Sequence, residues 1–159
     1  MNLFLFCNKL YLNQHIYKLL TQFKRNDSVE LTLCQFNKST KILTYAGSKH
    51  ALYLLKKNTT EIETIPQSKN FIGKPESDFE QHSVQLQEGD ILYLSSDGYF
   101  DQPGGKNGRK MMRNNFLQKL SHLSPFDLPT QKEMLEKHFR EWCNDKPQID
   151  DVCVLGLKI

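Results

Sequence analysis

Gly89-Asp90-Ile91-Leu92-Tyr93-Leu94-Ser95-Ser96-Asp97-Gly98-Tyr99-Phe100-Asp101-Gln102 is the stretch on which the reading of the fold turns. Ile91 to Ser95 is a short apolar run of β-prone residues, and Gln87-Glu88-Gly89-Asp90 before it carries turn residues. Asp97-Gly98 ends the run. A second acidic site, the pair Asp150-Asp151, stands just before the last strand-like segment, where Cys153, Leu155, Leu157 and Ile159 share one face. If these two strands are antiparallel neighbours, the exit of one lies beside the start of the other. Carboxylates far apart in sequence then converge at one rim. Such groups repel unless a proton or a cation intervenes. Hard oxygen donors suit Mg²⁺ or Mn²⁺ rather than zinc, and a cation there can polarise a phosphoryl oxygen or acidify a bound water. The same residues also fit a solvated turn and a cap, because Asp-Gly is a common turn dipeptide. Spacing leaves both readings open.

Working outward, Phe79 to Leu86 reads as a strand forming a hairpin with Ile91–Ser95. Upstream, Val29, Leu31 and Leu33 alternate with polar residues, Asn37-Lys38-Ser39-Thr40 is a turn, and Lys41–Ala46, Ala51–Lys56 and Glu61–Ile65 are short β-type runs. Residues 67–78 read as an irregular loop. Ile16, Leu19, Leu20 and Phe23 follow a helical stripe, so residues 1–25 are a leading helical segment. Downstream, Met112, Phe116, Leu117 and Leu120 give one helix an apolar face. Thr130 and Glu133 have the spacing of a capping box opening a second helix, with Leu135, His138, Phe139 and Trp142 on its buried side. Pro147 stops it. Strands in a run and helices in a run argue for an α+β class with antiparallel sheet.

The chain has 159 residues, 38% hydrophobic and 25% charged, with a net charge of +3. That is one domain, able to bury a core, and the charge excess is too small to argue for nucleic acid. No apolar run approaches the ~20 residues of a membrane span, and no secretory signal is visible. The four cysteines, Cys7, Cys34, Cys143 and Cys153, are scattered, which fits a reducing cytoplasm better than a disulfide framework. The histidines, at 15, 50, 82, 122 and 138, share no metal-binding spacing, and Ser95-Ser96 lacks a nucleophile-elbow setting. Gly104-Gly105-Lys106-Asn107-Gly108-Arg109-Lys110 is glycine-rich and basic. It reads as a phosphate-holding loop or, on residue types alone, as a mobile solvated one.

Several stretches resemble the SpoIIE-like protein phosphatases, bacterial metal-dependent serine/threonine phosphatases related to protein phosphatase 2C (the PPM type). Tyr45-Ala46-Gly47-Ser48-Lys49-His50-Ala51-Leu52-Tyr53-Leu54 resembles their Y-A-G-A-N-x-P-L-Y-L stretch. Residues 89–102 resemble G-D-x-x-x-L-x-T-D-G-x-x-D-Q, residues 104–110 resemble a G-G-x-x-G-K-K loop, and Gln148-Ile149-Asp150-Asp151-Val152 resembles the terminal D-D-[VM] motif. The matches run in family order over residues 29–159.

The resemblance implies a largely antiparallel β-sandwich flanked by helices, with two metal ions, Mn²⁺ or Mg²⁺, between the sheets. It implies metal-ligand roles for Asp97 and Asp150, with Asp151 following the ligand, and attack of a metal-activated water on phosphoserine or phosphothreonine. It implies no covalent catalytic residue. The family's first motif, G-D-x-x-G-H-G, is missing: 44 residues precede Tyr45, and Asp27 is their only aspartate. The expectation is therefore a single domain over 1–159, incomplete at its N-terminus, with a deficient two-metal site and impaired activity. The alternative is a non-catalytic pseudophosphatase that binds a partner. Expected partners are a phosphoprotein substrate or a signalling protein, with no nucleic acid and no membrane span, and with association through exposed sheet edges.

Overall fold

Apolar side chains recur at every second position through Leu31 and Leu33 and again through Leu43 and Tyr45, the period of a half-buried strand. The computed structural model describes residues 31–69 and 80–159, and there these runs are strands. The helix expected around Ile16–Phe23 lies outside the described residues. In chain order the elements are β1 (Thr32–Asn37), β2 (Ile42–Gly47), β3 (Leu52–Leu55), β4 (Ile62–Ile65), β5 (His82–Gln85) and β6 (Ile91–Ser95). They continue with α1 (Gly98–Asp101), β7 (Pro103–Gly104), β8 (Arg109–Lys110), α2 (Arg113–Leu123), α3 (Leu128–Cys143) and β9 (Val154–Lys158).

The described residues fall into two compact units, one within 1–52 and 65–86, the other within 53–64 and 87–159. The first holds a three-stranded sheet in the order β1-β2-β5, with both pairings antiparallel. The Asn37 side chain accepts from the Ser39 and Thr40 amides, both at 3.0 Å, and so closes the expected turn. Gly47 has to be glycine. A methyl group there would overlap the Tyr45 hydroxyl, which donates to the His50 carbonyl at 2.6 Å. Tyr45 is fully buried, so this bond satisfies a phenol that would otherwise be costly to enclose.

The second unit holds a four-stranded sheet ordered β4-β3-β6-β9 and the three helices. Its core centres on Phe116, fully buried, with ring centroids of Tyr99, Phe100 and Tyr53 at 4.9, 5.9 and 6.1 Å. Antiparallel pairs, with α2 and α3 consecutive after the run of strands, give the expected α+β architecture.

Four expectations change in detail. The strands on either side of Gln87–Asp90 do not form a hairpin: β5 pairs with β2, and β6 pairs with β9. The connecting turn is held by other partners. The Asp90 side chain is 1% exposed and accepts from the amides of Lys57 (2.8 Å) and Gln87 (2.9 Å). The Gly89 amide donates to Ile159, and the Ile159 amide donates to Asp90, both at 2.9 Å. These bonds fix β6 against β9. The cap of α3 is Asp127, which accepts from the Thr130 amide, and not Thr130; Pro129 in the first turn presets the helical φ. Met112 is exposed with a left-handed φ of 75°, and Met111 takes the buried position instead. Residues 104–110 form the hairpin β7–β8 rather than an unstructured loop, with Gly104 opposite Arg109.

Candidate metal centre at the β6–β9 rim

The register of β6 on β9 places Ser95 opposite Val154 and Ile91 opposite Lys158. Asp97 and the Asp150-Asp151 pair therefore lie at the same end of the sheet, as antiparallel pairing demands. Ser96 continues the contact. Its amide donates to the Cys153 carbonyl at 3.0 Å, and its hydroxyl accepts from the Cys153 amide and donates to the Asp151 carbonyl, both at 2.9 Å. Gly98 lies so close to the Asp151 carbonyl that no side chain fits between them. Asp97 thus sits between two residues that both touch the Asp150-Asp151 segment.

Asp97 occupies the N-cap position of α1, yet its side chain makes no capping bond. The amides of Phe100 and Asp101 bond instead to its backbone carbonyl, at 3.0 and 2.8 Å. The carboxylate stays exposed and accepts no hydrogen bond from the described residues. Asp150 is also exposed. One of its oxygens takes the Asp151 amide at 2.7 Å, and its carbonyl takes the Gln148 amide group at 2.8 Å.

Segment 147–153 forms no helix and no strand, so its course depends on side chains. Gln102, 0% exposed, donates to the carbonyls of Pro147 (2.9 Å) and Pro103 (3.1 Å) and accepts from the Ile149 amide (3.3 Å). The Trp142 indole donates to the Gln102 carbonyl at 2.8 Å, and the Trp142 carbonyl accepts from the Gly105 amide at 2.8 Å. The Tyr99 hydroxyl donates to Leu135 at 3.0 Å and lies 3.2 Å from His138 Nδ1. Burial drives the Tyr99 phenol well above its ordinary range and pulls the His138 imidazole down, so neither ionises readily in its usual window. Helix α3 therefore grips both ends of the short helix that follows Asp97.

Cations border the rim. Lys110 Nζ is 2.7 Å from the Asp101 carboxylate, and that bond, with the further field of Asp97, raises its pKa. Lys146 Nζ lies against Gly108 at the tip of the β7–β8 hairpin. Burial pushes the Cys34 thiol up to about 11, which disfavours its thiolate.

Asp97 and Asp150 are exposed hard oxygen donors, the kind that Mg²⁺ and Mn²⁺ take and zinc avoids. In kind they fit a divalent cation. Among the described residues no group of three or more His, Cys, Asp or Glu is placed to hold a metal ion. Sequence reasoning singled out Asp97 and Asp150 but missed Ser96 and Gln102. Their signal was their place on either side of the Asp-Gly step, one at a strand exit and the other between the short helix and the strand at Pro103.

The antiparallel sheets and helices match the fold of protein phosphatase 2C-like domains of known structure. The family model of Stage II sporulation protein E (SpoIIE) matches residues 11–159, and the chain belongs to that family. The SiaA-PP2C domain of Pseudomonas aeruginosa is similar at 26% identity and a TM-score of 0.82, covering 92% of this chain and 57% of that one. The SpoIIE phosphatase domain of Bacillus subtilis, presoaked with Mn, is 18% identical with a TM-score of 0.65, covering 99% and 75%. PppA, a regulatory component of the type VI secretion system of P. aeruginosa, is 14% identical with a TM-score of 0.62, covering 91% and 64%. The last two likenesses concern the fold. No curated protein matches the chain. The chain spans 57% of the SiaA domain's length. Among the described residues no helix is long and apolar enough to cross a membrane.

Proposed function

We propose that this chain carries the C-terminal part of a metal-dependent serine/threonine phosphatase of bacterial cytoplasmic signalling. Asp97 and Asp150 are its two metal-binding carboxylates, and a phosphoserine or phosphothreonine protein is its substrate. The observation that carries the reading is the β6–β9 pairing, which brings Ser96-Asp97-Gly98 against the backbone of Asp150-Asp151. Mn²⁺ or Mg²⁺ bound there supplies a low-pKa water and charge neutralisation for the phosphoryl oxygens. The protein's own part is to hold the two carboxylates at one rim and to leave the Asp97 side chain free of a capping bond. With Asp97 and Asp150 as its metal carboxylates and the G-D-x-x-G-H-G motif missing, the chain alone is expected to hold metal weakly and turn over poorly.

A second reading is a pseudophosphatase that binds a signalling partner, and its ground is the missing G-D-x-x-G-H-G motif. The test is hydrolysis of a phosphoserine peptide with and without Mn²⁺, run beside Asp97→Asn and Asp150→Asn. Weak Mn²⁺-dependent turnover lost in both variants supports the enzyme reading. Absent turnover together with absent Mn²⁺ binding in calorimetry supports the pseudophosphatase. Turnover that survives both substitutions sinks the proposed ligands.

A further inference from the structure

Asp150 stands in a segment with no secondary structure of its own, yet the segment is held at two points. Upstream, Gln102 bonds to Pro147 and Ile149; downstream, Ser96 bonds to Asp151 and Cys153. Both anchors belong to the stretch that carries Asp97, one residue before it and five after. We infer that Ser96 and Gln102 are positioning residues, a two-point clamp that sets the Asp150 carboxylate relative to Asp97. The inference rests on the reading of those aspartates as metal ligands and adds the residues that aim them.

The chemistry of Gln102 argues for this role. A fully buried amide is costly to desolvate, and an apolar side chain of the same length would fill the space without that penalty. What an apolar residue cannot do is donate to Pro147 and accept from Ile149 together. All of the polar atoms of the Gln102 side chain are engaged, and two of its three bonds land on the approach to Asp150. Ser96 is the smaller counterpart. Its hydroxyl both donates and accepts across the rim, which alanine cannot reproduce and threonine can. Groups that orient metal ligands in this way typically alter metal affinity about 10–100-fold when removed.

The test uses the full chain and Mn²⁺ alone as the probe. Gln102→Met, Ser96→Ala and Ser96→Thr are compared with the parent by calorimetry, after circular dichroism shows that each is folded. Gln102→Glu replaces Gln102→Met if the latter does not fold. A second readout is hydrogen exchange at the Asp151 amide, which bonds to the Asp150 carboxylate and touches neither anchor directly. Gln102→Met and Ser96→Ala are expected to weaken Mn²⁺ binding about tenfold or more and to speed Asp151 exchange, while β6 amides keep their protection. Ser96→Thr is expected to behave as the parent. Unchanged affinity and unchanged Asp151 exchange in the first two variants overturn the clamp. If the parent itself binds no Mn²⁺, the metal reading falls and exchange alone decides: faster Asp151 exchange upholds the clamp, unchanged exchange removes it.

Discussion

At the scale of single residues, the rim is built by close approach as much as by charge. Gly98 faces the Asp151 carbonyl across a gap too small for a methyl group. Gly98→Ala should push the Asp150-Asp151 segment away from Asp97, at an overpacking penalty of about 1–3 kcal/mol. Thermal unfolding measures the stability loss, and Mn²⁺ calorimetry measures the displacement. A variant matching the parent in both would show that the rim yields freely. The carboxylates themselves were legible as residue types, since Asp97 and Asp150 flank strand-like runs. That the segments carrying them meet was legible only on the assumption that β6 and β9 pair. Ser96 and Gln102 escaped because hydrogen bonds to irregular backbone leave no period in a sequence.

At the scale of elements, α3 is the brace behind the site, and its first turn depends on Asp127. The Thr130 side chain and the Thr130 amide, which bonds to this carboxylate, hold its pKa below the usual range. A carboxyl depressed on folding stabilises the fold fully above its unfolded value of about 4, and that contribution is lost as pH falls through the lower folded value. Asp127→Asn keeps a capping oxygen and removes the titration. Its stability should therefore vary less with pH in the acid range than the parent's, as thermal unfolding at a series of acid pH values will show. An identical pH profile would mean that Asp127 caps without being titrated by folding. This helix was readable from Leu135, Phe139 and Trp142, but its start was misplaced by one turn. Thr130-x-x-Glu133 mimics a capping box, while the true signal was Asp127 followed two residues later by Pro129. The expected β5–β6 hairpin failed for a related reason. Gln87–Asp90 has hairpin composition, yet the buried Asp90 side chain spends its acceptors on Lys57 and Gln87, and the backbone at 89–90 bonds to Ile159.

At the scale of the whole molecule, the last strand leaves apolar surface uncovered. β9 ends the sheet order among the described residues, and Leu155 and Leu157 are 56% and 51% exposed on one face. Exposed strands of this kind favour intermolecular contact. Light scattering at tens of micromolar should find concentration-dependent association, reduced by Leu155→Lys with Leu157→Glu; a parent that stays monomeric would contradict this. The order of strands and helices was readable from the sequence because each element is short and strongly patterned. Which strands share a sheet was not, because pairing depends on contacts made at a distance along the chain. The chain also contains a single tryptophan, Trp142, bonded to the Gln102 carbonyl and packed on Gly104. Its ultraviolet emission therefore comes from one indole beside the clamp, so the native chain already contains an optical reporter for titrations at this rim, with no dye attached.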